Sequence, residues 1–132
     1  VSLTGSTAAG RKVGALAGAA LKPCVFELGG SDPYLVLADA DLAHAARACA
    51  TARLINGGQS CISAKRIIVV DAVRAEFETL LTAEIARRRV GPPTDPTTDV
   101  GPLARADLRT TLHRQVQASV KAGARLLLGG TV

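Results

Sequence analysis

Strand-like and helix-like segments alternate along the whole chain, and this alternation limits the fold more than any other feature of the sequence. Val1–Leu3 reads as the end of a strand. Thr7–Ala20 is rich in Ala and Gly, and Val13, Leu16, Ala17 and Ala20 recur on one face at helical spacing. Short strands are expected at Pro23–Leu28, as a buried one, and at Pro33–Leu37. Asp39 or Asp41 then caps a helix that runs through about Leu54. Lys65–Val70 is the next expected strand, its run IIVV β-branched and continuous as in a parallel sheet. Asp71–Arg88 predicts an amphipathic helix with Val73, Phe77, Leu80, Leu81 and Ile85 turned inward. Gly91-Pro92-Pro93-Thr94-Asp95-Pro96 can only be a loop. Arg105–Ala122 predicts a further helix closed by Gly123, and Arg125–Leu128 a last strand. Such a succession specifies an α/β fold with mostly parallel strands, without an internal repeat or a low-complexity tract.

The length of 132 residues suits one modest domain or parts of two. Hydrophobic residues make up 48% and aromatics only 2%, so the core must be aliphatic and a disordered chain is not expected. No apolar run approaches the roughly 20 residues of a membrane helix, and no secretory signal is visible. The net charge of +5 is scattered apart from Arg87-Arg88-Arg89, which suits the negative end of a helix. With almost no aromatics to stack bases, neither a nucleic acid nor a membrane is expected as partner. Three cysteines without a CxxC pair argue against a disulfide framework or a metal site and for a reducing, cytoplasmic setting. Cys24 and Cys49 lie in apolar surroundings and are expected to fill core. Neither Val1 nor the closing Gly129-Gly130-Thr131-Val132 reads as a natural terminus, so an internal piece of a longer chain is expected.

Three motifs carry chemistry. Leu3-Thr4-Gly5-Ser6-Thr7-Ala8-Ala9-Gly10 joins a strand to a helix. Free N–H groups at such a helix start suit a phosphate, and a simple turn capped by Ser6 or Thr7 suits the residues equally well. The spacing is neither GxGxxG nor a P-loop. Phe26-Glu27-Leu28-Gly29-Gly30 ends a strand with a carboxylate. At the carboxyl end of a strand in an open α/β sheet it points towards the ligand crevice, and partial burial there would fit it for general base work. A capping or salt-bridged glutamate is the plain alternative. Asn56-Gly57-Gly58-Gln59-Ser60-Cys61 breaks a helix and leaves a thiol in a loop, with the cations Lys65 and Arg66 close enough in sequence to favour a thiolate.

Taken together and in this order, TGSTAAGR, ELGG and NGGQSC resemble the aldehyde dehydrogenase superfamily. The separation of Glu27 from Cys61 is similar to the family's, as are DADL at Asp39–Leu42 and the VGP at Val100–Pro102. ELGGSDPYLVLADADL, CISAKR and GPLARADLRTTLHRQV look most like the bacterial succinate-semialdehyde dehydrogenases. The resemblance implies a parallel-sheet α/β fold, with residues 1–29 closing a Rossmann-like NAD(P)-binding domain and residues 30–132 opening a catalytic domain. It implies Cys61 as nucleophile, its own N–H as one oxyanion donor, and Glu27 as base. Gly5 and Ser6 would lie by the cofactor pyrophosphate, Leu28 and Gly29 by the nicotinamide, and Gly10 would permit close helix packing. Asn56, Gly58 and Gln59 would shape the catalytic loop. NAD or NADP is the implied cofactor, a small aldehyde the substrate, and a homo-oligomer the full-length state. Leu3, Ser31 and Ser63 depart from the family's commoner residues, Ser63 from a frequent Ala. The remaining cofactor and oxyanion groups of the family fall outside Val1–Val132, so this stretch alone is expected to bind cofactor poorly and to show no turnover. Two rivals stand beside this reading. One is another cysteine enzyme, for which only His44 and His113 are available as partners, and the other a non-catalytic nucleotide-binding module.

Overall fold

The computed structural model describes residues 1–132. The elements are β1 (Ser2–Thr4), α1 (Thr7–Ala19), β2 (Val25–Glu27), β3 (Pro33–Val36), α2 (Leu42–Leu54), a short 3₁₀ turn (Ile55–Gly58), β4 (Arg66–Val69), α3 (Asp71–Ala86) and α4 (Ala106–Lys121). β1 pairs with β2 in parallel and β3 with β4 in parallel, as two separate two-stranded sheets. Each pair is joined through a helix, α1 or α2, the crossover that parallel pairing requires.

α1 starts where Ser6 turns its hydroxyl oxygen back to accept the Ala9 N–H at 3.2 Å. The sequence pattern put Leu16 and Ala20 on its inner face, and the structure does not. Leu16 is 75% exposed, and the face turned inward is Gly10, Val13, Gly14 and Ala17. The reason is close approach. A Cβ at Gly10 would stand 2.8 Å from Leu28 Cδ1, and one at Gly14 would stand 3.1 Å from Phe26 Cε2. The helix rests on β2 through its smallest residues, which places Gly10 as the motif implied.

The core lies in the second unit. Val36 of β3, Ala46 and Cys49 of α2 and Phe77 of α3 are buried together, with Tyr34, Leu42, Ile67, Val69, Leu80 and Leu81 packed around them. Ala46 and Ala50 are fully buried and let α2 and α3 approach. Asp41, not Asp39, caps α2 by accepting the His44 N–H at 3.0 Å. That hydrogen bond holds the Asp41 carboxyl below its ordinary range.

Other expectations are corrected. β2 is not buried, since Val25 is 66% exposed, and Ile68 in the middle of β4 is 50% exposed. A helix layer covers one face of each pair, so the alternate side chains of β2 and β4 face outward. Arg125–Leu128 is not a strand. No neighbouring strand offers this run a ladder, and it lies along α3 instead. Arg125 pairs with Glu78 at 2.6 Å, while Leu127 lines a groove with Ile67, Val69, Phe77 and Leu81. The proline-rich loop is irregular as expected, pinned by a bridge between Val90 and Val100 and by Asp99 accepting the Arg89 N–H at 2.9 Å. Gly123, at φ +101°, closes α4. No helix is long and apolar enough to cross a membrane.

Candidate active site

The β1–β2 register sets Thr4 opposite Glu27, and the Gly5 N–H donates to the Glu27 carbonyl at 2.9 Å. Two of the three sequence motifs therefore share one carboxyl-terminal sheet edge. Beside it stands the N-terminus of α1, with no acidic residue in its first turn. An uncompensated helix start with Gly5 and Ser6 leading into it is a donor set that fits a pyrophosphate. The Ser6 hydroxyl oxygen accepts the Ala9 N–H in capping, and its O–H is left free to donate.

Glu27 ends β2 and is exposed in this chain. Only Leu28 after it is half-buried, its side chain turned against Gly10 of α1. The Glu27 carboxylate enters none of the ion pairs or side-chain hydrogen bonds of the chain. It is neither the capping nor the salt-bridged glutamate that the sequence left open. Gly29 and Gly30 stand in open space, with nothing within 4 Å of where a Cβ would be.

The thiol loop is built differently. After α2 the chain passes through three successive left-handed residues, Asn56 (φ 51°), Gly57 (φ 61°) and Gly58 (φ 78°). Asn is among the few side chains that tolerate this region, and Gly tolerates it freely. A Cβ on Gly58 would also meet Arg53 Nη2 at 3.1 Å and the Arg53 carbonyl at 3.2 Å. Arg53 Nη1 donates to the Gly58 carbonyl at 3.2 Å, and Gln59 Nε2 to the Asn56 carbonyl at 3.2 Å. The Ser63 N–H returns to the Ser60 carbonyl at 3.1 Å, turning the chain around Cys61. Cys61 itself is exposed, and its N–H is used by no acceptor in the chain. Asn56, Gly58 and Gln59 thus shape this loop as expected.

Ser63 is 2% exposed, and its hydroxyl has no hydrogen-bond partner. The other thiols separate clearly. Cys49 is buried, and burial pushes its thiol up. Cys24 is exposed, not core as its apolar neighbours suggested, because β2 is open on that side. His44 opens α2 and His113 lies within α4, and neither is hydrogen-bonded to Cys61.

What brings the two loops together is Lys65. Its ammonium donates to the Gly30 carbonyl at 2.7 Å and to the Cys61 carbonyl at 3.3 Å. The sequence marked Lys65 only as a charge near the thiol. It gave no sign of Arg53, whose one legible signal is a cation in the last turn of a helix that ends at Gly-Gly.

The model of the Aldehyde dehydrogenase family matches residues 1–132. The succinate semialdehyde dehydrogenase [NAD(P)+] Sad of Escherichia coli is 50% identical over 130 residues, 98% of this chain and 28% of that protein. A succinate-semialdehyde dehydrogenase [NADP(+)] of Mycobacterium bovis is 50% identical over 129 residues, again 98% of this chain and 28% of its own length. Among solved structures, lactaldehyde dehydrogenase from Escherichia coli superposes with a TM-score of 0.95 at 36% identity, over 99% of this chain and 28% of that one. Betaine aldehyde dehydrogenase from Staphylococcus aureus, in complex with NAD+, gives 0.94 at 26% identity, over 99% and 26%. The chain therefore spans a little over a quarter of the length of the relatives it matches. From Val1 to Val132, this chain belongs to the aldehyde dehydrogenase family.

Proposed function

We propose that Val1–Val132 supplies the nucleophile and the base for NAD(P)-dependent oxidation of an aldehyde to a carboxylic acid. The activity itself belongs to a polypeptide of the length its relatives have. Residues 1–29 would close the cofactor-binding part and residues 30–132 open the catalytic part, a division supported by the two separate sheets. The substrate would be succinate semialdehyde, supported by two relatives of that name at 50% identity. A homo-oligomer is the proposed full-length state. The observation that carries this reading is that the carbonyls of Gly30, three residues after Glu27, and of Cys61 meet on a single ammonium.

The chemistry follows from the residue types. The Cys61 thiolate attacks the aldehyde carbon, forming a C–S bond and an oxyanion. The unused Cys61 N–H lies within the same residue and is fit to hold that oxyanion. A bound nicotinamide would supply a hydride acceptor, so that the oxyanion could collapse to a thioester as the hydrogen of its C–H leaves with the bonding pair. Gly5, Ser6 and the start of α1 would hold the pyrophosphate, with Leu28 and Gly29 beside the ring. Glu27 then takes a proton from water, whose oxygen attacks the thioester carbon. The C–S bond breaks, the acid leaves and the Cys61 thiolate is regenerated. A free carboxylate suits this role, because it takes a proton without competing for the aldehyde carbon.

The test is NADH absorbance on mixing the full-length enzyme with succinate semialdehyde and NAD or NADP. Cys61→Ser is expected to remove measurable oxidation. Full turnover in that variant contradicts the assignment, and turnover only of thioesters or acyl donors favours a different cysteine chemistry.

A further inference from the structure

Lys65 stands immediately before β4, and Gly30 shortly before β3, where Pro33 pairs with Arg66. Its ammonium therefore sits at the amino-terminal mouth of the second sheet, where both loops enter it. It reaches across 35 residues of sequence to Gly30 and four to Cys61, at 2.7 and 3.3 Å. Lys65 takes part in no ion pair, so two main-chain carbonyls are its partners. The start of the turn it holds is fixed by the β1 pairing at Glu27 and by Leu28 on Gly10, whereas Gly29 and Gly30 have nothing within 4 Å of where a Cβ would stand, so Lys65 is the contact at its far end.

We propose that Lys65 is a positioning residue that sets the separation of the Glu27 turn from the Cys61 loop. It acts through their backbones and touches no reacting atom. This rests on the functional reading above and deepens it. Thiol attack needs Cys61 and the aldehyde, whereas thioester hydrolysis needs Cys61 and Glu27 in register. Loss of the ammonium therefore falls on hydrolysis. Misplacement on the scale of 1 Å is enough to slow a step by on the order of 10²-fold.

The test uses the full-length enzyme with Lys65→Met and Lys65→Arg, read by first-turnover NADH formation, steady-state kcat, KM for the cofactor and thermal unfolding. In Lys65→Met, kcat is expected to fall by about ten- to a hundredfold while the first-turnover burst, the KM for cofactor and the unfolding temperature hold. Lys65→Arg is expected to restore most of kcat, because a guanidinium fork presents several donors to two carbonyls. Wild-type kcat in Lys65→Met overturns the proposal. So does a burst that falls in step with kcat, or an Arg variant no better than Met. Cys61→Ser, assayed in parallel, separates the two levels. If it is inactive while Lys65→Met is normal, the clamp alone fails; if it turns over, the functional reading fails with it.

Discussion

The two loops that would meet at the reacting carbon are held in opposite ways. The Cys61 loop is fixed from all sides by three left-handed residues, the Arg53 guanidinium, the Gln59 amide and the buried pair Ser63 and Ala64. The Glu27 turn has an exposed, unpaired carboxylate and two glycines in open space; the pairing with β1 and the packing of Leu28 on Gly10 hold its start, and Lys65 reaches its far end at Gly30. The difference teaches where each loop obtains its shape. On the proposed mechanism a nucleophile would have to present one atom at one angle, and a locally fixed loop would suit that. The base would have to admit water and a flat ring, and an open turn carrying two unhindered glycines would suit that. At Gly57 and Gly58 the positive φ explains the residue type; at Gly29 and Gly30 nothing internal does.

Substitutions sharpen that contrast. Gly58→Ala places a Cβ against Arg53 in a left-handed conformation, and is expected to destabilise by about 1–2 kcal/mol. It should also lower kcat by on the order of tenfold through loop displacement. Denaturant unfolding and steady-state rates check both, and a neutral Gly58→Ala would mean the loop is not locally fixed. Gly29→Ala is expected to leave unfolding unchanged and to weaken nicotinamide cofactor binding, measured by fluorescence titration. Destabilisation without a change in cofactor affinity would reverse the assigned cause. The smallest effect is expected at Ser63. Its buried hydroxyl has no partner, so Ser63→Ala should raise stability by about 1 kcal/mol with kcat unchanged.

Periodicity made the alternation of elements legible, because helix and strand repeats are local properties of the chain. The Asn-Gly-Gly run was legible for the same reason, since positive φ selects residue type wherever it occurs. Burial was not legible. Cys24 and Cys49 both sit among apolar neighbours in sequence, and only the packing of α2 against α3 buries one of them. Leu16 kept the helical spacing yet faces outward, because Gly10 and Gly14 allow the closer approach. Arg125–Leu128 has the composition of a strand, but a strand also needs a partner, and β4 is not one for it. The role of Lys65 escaped because a bond to two main-chain carbonyls leaves no mark on the residues that accept it.

The claim at the centre of this account is that the sulfur and the carboxylate act in turn on one carbon. Glu27→Gln in the full-length enzyme, mixed with aldehyde and cofactor and then quenched, tests it by peptide mass. The account predicts one NADH released per site and an acyl adduct accumulating on the peptide that carries Cys61, with turnover slowed by about 10²–10⁴-fold. Unimpaired turnover, or an adduct on Cys24 or Cys49 with Cys61 unmodified, would contradict it.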